Sequence, residues 1–175
     1  MTTSPIKVNT RIPKMLAIVL VLLITIGGWI GIRLFFPDKL TLFAGTPPTN
    51  IGITEGKLAP CPNTPNCVNS YSQDALHKIA PLVYTSTPQQ AIENLKKIIQ
   101  AQPRTKIIAE TDNYIYAEFS TTLMGFVDDV EFYLVPEAKI IQVRSASRLG
   151  ESDLGVNRDR IETIRSEYQK ISNNT

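Results

Sequence analysis

The stretch RSASRLGESDLGVNRDR, residues 144–160, combines arginines, serines and acidic residues but contains neither histidine nor cysteine. We predict that it leaves a strand, turns at Gly150 and enters a helix that Ser152 or Asp153 caps. Guanidinium groups beside a helix N-terminus attract phosphate and carboxylate groups, so the stretch is a candidate anion or partner site. Its candidate binding residues are Arg144, Ser145, Ser147, Arg148, Asp153, Asn157 and Arg158.

A second charged set follows from strand periodicity. Side chains alternate between the two faces of a strand, which places Glu118, Asp129, Glu131, Tyr133 and Arg144 on one face of a predicted sheet. One interpretation is a solvated face with weak cross-strand ion pairs. The other is a polar groove or docking surface, to which Asp128, Asp129 and Glu131 would contribute.

Catalysis has weak support in these residues. Asp128 or Asp129 could act as a general base, with Arg144 or Arg148 as an anion clamp. The sequence contains no G-x-S-x-G elbow and no phosphate-binding loop, and we assign no catalytic residue. The arginines could instead be neutralised within the domain by Asp128, Asp129, Asp153 and Glu162.

The two cysteines, Cys61 and Cys67, lie in the short segment CPNTPNC. A disulfide there would stabilise the fold by about 2–2.5 kcal/mol in the chain-entropy model, and we predict a structural disulfide. A redox-active pair and free thiols are the alternatives. The chain has one histidine, His77, too few ligands for a Cys/His zinc site, so we predict no metal and no cofactor.

The N-terminus predicts a membrane anchor. Residues 1–14 form a basic tail without acidic residues, and an uncharged apolar run follows from Met15 to Ile32. With its flank, residues 15–36, it is long enough to span a bilayer of roughly 30 Å. A cleaved signal peptide and a buried helix are the alternatives. The positive-inside rule places the tail in the cytoplasm and the rest of the chain across the membrane. A net charge of +2 argues against nucleic-acid binding.

The remaining chain predicts a stalk and one domain. Residues 37–57 are rich in Pro, Gly and Thr and are interpreted as a stalk, and residues 58–175 as the soluble domain. One helix follows the N-cap Thr87, and another runs from about Asp153 to Ile171. Strands are predicted near 105–110, 114–120, 129–135 and 140–147, with a short edge strand near 79–84. The order (β)αββββα predicts a two-layer α+β domain, with a four- to five-stranded, mainly antiparallel sheet and both helices on its apolar face.

Three blocks, CPNTPNCVNS, GFVDDVEF and VRSASRLGESDLGVNRDRIETIR, resemble the DUF1499 family, a domain of unknown function, over roughly residues 58–170. The family occurs in bacteria and photosynthetic organelles and has no established catalytic activity. The resemblance therefore names the domain without implying an activity. The anchor and the predicted disulfide lead us to expect the domain in a periplasm or thylakoid lumen. It maps the family's motif onto Cys61, Pro62, Asn66, Cys67, Ser70, Asp128, Asp129, Glu131, Phe132, Arg144, Ser145, Ser147, Arg148, Gly150, Ser152, Asp153, Gly155, Asn157 and Arg158.

Together these features predict a single-pass membrane protein whose domain binds a membrane-protein partner or a small anionic ligand through its Asp/Glu/Arg surface. A hydrolase or transferase acting on an anionic substrate, and a disulfide redox module, are the alternative hypotheses.

Overall fold

The computed structural model describes residues 14–36 and 43–172. Helix α1 comes first, two short strands form a separate hairpin, and the remaining strands and two helices build the domain. The elements are α1 (Lys14–Phe35), β1 (Ile53–Thr54), β2 (Lys57–Leu58), β3 (Cys67–Asn69), β4 (Leu82–Val83), α2 (Pro88–Ala101), β5 (Thr105–Thr111), β6 (Tyr114–Ser120), β7 (Val127–Val135), a 3₁₀ turn (Pro136–Ala138), β8 (Ile140–Ser147) and α3 (Val156–Ser172).

Helix α1 is long and apolar enough to cross a membrane. It has 22 residues and a mean hydropathy of 2.6 over its most apolar window. At 1.5 Å per residue, a helix of that length spans about 33 Å, close to the thickness of a bilayer's hydrocarbon core. The helix fits a single-pass anchor or a signal sequence. The tail before Lys14 lies outside the described residues.

The main sheet is antiparallel, with the strand order β3-β8-β7-β6-β5, and β4 also pairs with β8. Strands β5 to β8 are consecutive in the chain and joined by short turns, which makes them a meander. The predicted α+β architecture is confirmed. Strand β3 was not predicted, because the proline-flanked cysteine segment shows no alternation; it pairs Cys67 with Ala146 and Asn69 with Arg144.

Both domain helices pack on the apolar face of this sheet, as predicted. Leu95 of α2 and Ile161 of α3 are fully buried against Phe132 of β7 and their neighbours. The Thr87 hydroxyl caps α2 by accepting from the backbone N–H of Gln90. The Gln90 side chain donates to Asn94 instead of to the cap. A helix terminus thus forms where it was predicted, with the N-cap bond of a capping box and without the reciprocal bond from Gln90.

Helix α3 begins at Val156, three residues after the predicted start. Leu154 and Gly155 have φ values of +55° and +88°, in the left-handed region, so the chain turns before the helix begins. Asp153 still caps it from outside, because its carboxylate accepts from the backbone N–H groups of Gly155 and Asn157 at 3.0 and 2.8 Å. Asp153 is the residue that orients the start of α3.

The second face of the sheet is covered by residues 46–62, which we call the cover segment. Its Gly52 N–H donates to Glu131 at 2.7 Å, and its Ala59 carbonyl accepts from the Asn69 side chain. Leu58 packs against Tyr114 and Tyr116. The interpretation of this surface as a solvated face is therefore wrong, because its central charged residues, Asp129, Glu131 and Arg144, are buried. The predicted stalk residues from 46 onwards lie against the domain, and residues 37–42 are outside the described residues.

Candidate functional site

The charged residues of the covered face form what we call the outer cluster, centred on Glu131. This residue is 0% exposed, and its carboxylate accepts three hydrogen bonds. The donors are the Tyr114 hydroxyl at 2.8 Å, the Gly52 N–H at 2.7 Å and the Arg144 guanidinium at 3.1 Å. The cluster consists of Tyr114, Tyr116, Glu118, Asp129, Glu131, Arg144 and Arg148.

Asp129 and Arg148 form the second half of this cluster. Arg148 donates two bonds to the Asp129 carboxylate, from Nε at 2.9 Å and from Nη2 at 2.7 Å. It also pairs with Glu118, and the Tyr116 hydroxyl donates to Asp129 at 2.6 Å. This is a bidentate guanidinium–carboxylate pair, the strongest geometry available to such groups.

Burial raises the pKa of the Tyr114 and Tyr116 phenols well above the usual range, and the adjacent carboxylates raise both pKa values further. The hydrogen bond to Asp129 raises the pKa of Arg148, against the opposing effect of burial. Both phenols are therefore neutral donors and Arg148 is charged at every ordinary pH. Asp129 and Glu131 each accept three hydrogen bonds from neighbouring groups, which leaves them poorly placed to accept a substrate proton.

A cavity of about 430 Å³ lies between the outer cluster and the cover segment. Its floor is the sheet and its wall is the cover segment with the start of the cysteine loop. The lining residues are Thr46, Pro48, Asn50, Pro60, Cys61, Pro62, Asp129, Arg144, Ala146, Ser147 and Arg148. The structure thus brings Asp129, Arg144, Ser147 and Arg148, all predicted from the sequence, to one cavity.

Arg144 has a feature that distinguishes it within this cavity. It is 4% exposed, and its Nε–H is buried without a hydrogen-bond partner among the described residues. Among the described residues, only one other buried side-chain polar atom, the Tyr84 hydroxyl, lacks a hydrogen-bond partner. A buried unpaired donor costs about 1–3 kcal/mol, so natural structures contain few of them.

Asp128 does not join the outer cluster. Successive residues of β7 point to opposite faces, so Asp128 faces the helices while Asp129 faces the cover segment. Asp128 forms an ion pair with Arg160 of α3. Of the two candidate bases, only Asp129 lies on the same face as Arg144 and Arg148, because the sheet separates the Asp128 carboxylate from these arginines.

Asp128 and Arg160 belong to a second group of polar side chains, which we call the junction cluster. The Asn157 amide, fully buried, donates to the Asn66 carbonyl at 3.1 Å and to the Ser147 hydroxyl at 2.9 Å, and it accepts from Ser145. Arg160 donates to Ser145 and Asn157 at 3.0 and 2.7 Å and stacks on the Phe119 ring. The cluster consists of Asn66, Asp128, Ser145, Ser147, Asn157 and Arg160, and it joins the cysteine loop, β7, β8 and α3.

The remaining predicted residues lie elsewhere. Arg158 donates to the backbone carbonyls of Leu76 and Lys78, and the structure does not bring it to the cavity that Arg144 and Arg148 line. Burial by itself raises the pKa of the Asp153 carboxyl. The two N–H groups that it caps outweigh this effect and hold the pKa below its usual value.

The sequence reasoning missed Arg160, Tyr114 and Tyr116 as site residues. Arg160 follows Asn157 by three positions and precedes Ile164 by four, so helical periodicity places it on the sheet-facing side of α3. The two tyrosines alternate with their neighbours along β6 in phase with Glu118, which places them on the covered face. Their role as donors could not be deduced without the cover segment that buries them.

The disulfide between Cys61 and Cys67 is present. Cys67 lies on β3 beside the sheet, whereas Cys61 reaches the cavity wall. Among residues 14–36 and 43–172, no group of three or more His, Cys, Asp or Glu side chains is arranged to hold a metal ion. The disulfide thus links the wall of the cavity to the strand next to Asn66 of the junction cluster.

Comparison with known proteins adds one finding. The model of the family described as "Protein of unknown function (DUF1499)" matches residues 57–168. No curated protein matches the chain. The match covers the main sheet, α2, α3 as far as residue 168, both clusters and the end of the cover segment.

Proposed function

Since the chain belongs to the DUF1499 family, whose description assigns no function, we propose from the site itself that this protein is a membrane-anchored binding module. Helix α1 anchors it with the N-terminus in the cytoplasm, and the domain lies in a periplasm or thylakoid lumen. The cavity over the outer cluster receives a segment of a membrane-protein partner. The proposal rests on Arg144, which lines the cavity and whose buried Nε–H has no hydrogen-bond partner within the described chain.

The chemistry of the cavity indicates what kind of group it receives. An acceptor oxygen bound to Arg144 Nε would remove the cost of leaving that donor unpaired. The outer cluster holds two guanidinium groups against three carboxylates, Glu118, Asp129 and Glu131. The surplus of negative charge disfavours a multiply charged anion such as phosphate. A peptide carbonyl or a single carboxylate fits better, and a peptide segment of a partner supplies either.

The oxidising compartment in this proposal rests on the disulfide and on α1. Disulfides persist outside the cytosol, and Cys61–Cys67 is closed. The uncharged run of α1, residues 15–32, follows a basic tail, which favours the same side of the membrane for the domain. Neither observation favours a redox role. Cys67 is 1% exposed, so an attacking thiolate would have to reach the disulfide at Cys61, in the cavity wall.

The test is site-specific photocrosslinking of the full-length protein in its native membranes. A benzophenone side chain at Asn50, in the cavity wall, should give a discrete adduct with one membrane protein. Arg144→Lys keeps a positive charge for Glu131 but lacks the Nε–H, and it should abolish the adduct. The matched control is Arg165→Lys, because Arg165 binds the Ala80 and Pro81 carbonyls on the helix side of the sheet.

The outcomes separate the possibilities. An adduct that persists in Arg144→Lys, or the same adduct from a benzophenone at the distant Val83, would overturn the proposal. Absence of any adduct, together with millimolar acetate binding that requires Arg144, would show that a small carboxylate is the ligand instead of a peptide. Acetate binding is read by titration calorimetry on the purified full-length protein.

A further inference from the structure

The loop between β6 and β7 lies against the end of helix α1. Arg33, in the last turn of α1, donates from Nε to the Thr122 carbonyl and from Nη2 to the Thr121 carbonyl, both at 3.2 Å. A Cβ placed on Gly125 would lie 2.9 Å from Arg33 Nη2, so the absence of a side chain there admits the guanidinium. The loop is therefore fitted to the end of the anchor.

The tip of this loop extends past Arg33 along α1. Leu123 and Met124, 50% and 37% exposed, line a cavity of about 460 Å³ with Thr25, Ile26, Trp29 and Ile30. Trp29 precedes Arg33 by four residues, which is about 6 Å along a helix, and Thr25 precedes it by about 12 Å. If Arg33 lies at the head groups, the loop tip lies at the depth of the outer acyl chains.

The same end of the domain exposes further apolar side chains. Leu154 is 93% exposed, and Leu149 and Val156 are each 42% exposed. These three residues and Phe126 line one cavity of about 280 Å³, which Thr121 connects to the loop. Contiguous exposed apolar surface of this kind marks a membrane or protein interaction site.

We propose that one end of the domain lies in the membrane leaflet on the domain's side, at the boundary between head groups and acyl chains. This end consists of Leu123, Met124, Leu149, Leu154 and Val156. The inference rests on the membrane anchoring in the proposed function. A lipid surface is favoured as the occupant because the patch is continuous with the anchor: Leu123 and Met124 adjoin Trp29, and tryptophan is enriched at that boundary. Penetration of about 5–10 Å is typical of interfacial segments.

Seating the domain in this way fixes its orientation on the membrane. The loop lies at the end of the sheet where β6 ends and β7 begins, and Val83 of β4 lies at the opposite end, beside Ile140. Val83, 64% exposed, is thus a matched apolar site that the proposal places in water.

The test uses the full-length chain in phosphatidylcholine liposomes, with one fluorophore at a time on an introduced cysteine at Leu123, Leu154, Val83 or Ile24. The native cysteines are closed in the disulfide and do not label. Acyl-chain nitroxide lipids should quench the fluorophore at Leu123, Leu154 and Ile24 several-fold more than at Val83. Aqueous iodide should show the reverse order. Met124→Asp should reduce lipid quenching at Leu154 without changing it at Ile24.

Each result has one meaning. Lipid quenching at Ile24 with Leu123 and Leu154 behaving like Val83 would overturn the seating and leave the anchor intact. Absence of lipid quenching at Ile24 would overturn the anchor as well. Protection of Leu123 and Leu154 from both quenchers would show a protein contact and overturn the lipid assignment.

Discussion

The outer cluster and the junction cluster lie on opposite faces of one sheet, and both contain buried carboxylates paired with arginines. They differ in whether every buried polar atom has a hydrogen-bond partner. Among the described residues, every buried side-chain polar atom of the junction cluster has a partner, and Arg160 binds Asp128, Ser145 and Asn157. In the outer cluster, Arg144 lines a cavity and its buried Nε–H has no partner in the described part of the chain. A completed network holds a fold together, whereas an incomplete one beside a cavity is a place for a ligand.

The largest expected effect breaks the junction cluster. Asp128→Ala leaves the Arg160 guanidinium without its carboxylate in a site where both side chains are largely buried. We expect a loss of about 3–4 kcal/mol in the free energy of unfolding, measured by denaturant titration of the full-length protein in detergent. Asp159→Ala, an exposed position on the same helix, should change it by less than about 0.5 kcal/mol. Equal losses in the two variants would contradict the structural role of the cluster.

Removing the disulfide tests whether it connects the cavity wall to the junction cluster. The double variant Cys61→Ser/Cys67→Ser should lose about 2–2.5 kcal/mol, because the closed loop no longer restricts the unfolded chain. Reductant should lower the stability of the native protein by a similar amount and leave the double variant unchanged. If reduction also abolishes crosslinking from Asn50, the loop holds the cavity wall in place. A stability unchanged by reduction would show that the bond constrains nothing.

Tyrosine substitutions probe the outer cluster. Tyr114→Phe removes a hydrogen bond to the buried Glu131 carboxylate and should cost about 1.5–2 kcal/mol. Tyr133→Phe is the matched control, because Tyr133 lies directly opposite Tyr114 in the sheet without a comparable side-chain bond to a carboxylate. Since burial raises the pKa of Tyr114, the difference between the two variants should stay constant up to pH 9. A difference that disappears in mild alkali would contradict a neutral phenol.

The smallest expected effect is the cap of α3. Asp153→Ala should cost about 1 kcal/mol at pH 7. The folded-state pKa of Asp153 is lowered, so its stabilisation is present above the unfolded pKa of about 3.9 and is lost as the pH falls through the lower folded value. The gap between the native protein and the variant should therefore narrow below about pH 4. Ser152→Ala, measured in parallel, should show no such narrowing.

Much of the fold follows from local sequence patterns. Alternation along β6, β7 and β8 predicted that Glu118, Asp129, Glu131 and Arg144 share one face of the sheet. These predictions depend on near neighbours in the chain, where side-chain periodicity is a direct consequence of backbone geometry.

The cover segment could not be predicted in the same way. Its main contacts use the Gly52 N–H and the Ala59 carbonyl, which every residue possesses, and Pro and Gly in its sequence are equally typical of a linker. Arg160 was missed for a different reason. Its place in the junction cluster follows from the helical phase that it shares with Asn157 and Ile164, whereas Arg158 lies closer in sequence to Asp153 but on another side of the helix.

The hydrogen bond from Gly52 to Glu131 makes one amide proton a reporter for the whole cover. Its protection from solvent exchange depends on a side-chain carboxylate across the sheet face, not on a strand ladder. Lifting the cover segment would expose this proton without opening β6 or β7. Its exchange rate should therefore exceed the exchange rates of the strand amides, by a factor set by the free-energy difference between local and global opening. A ligand seated in the cavity touches both the cover and the sheet, and it would slow this single exchange rate in proportion to its occupancy.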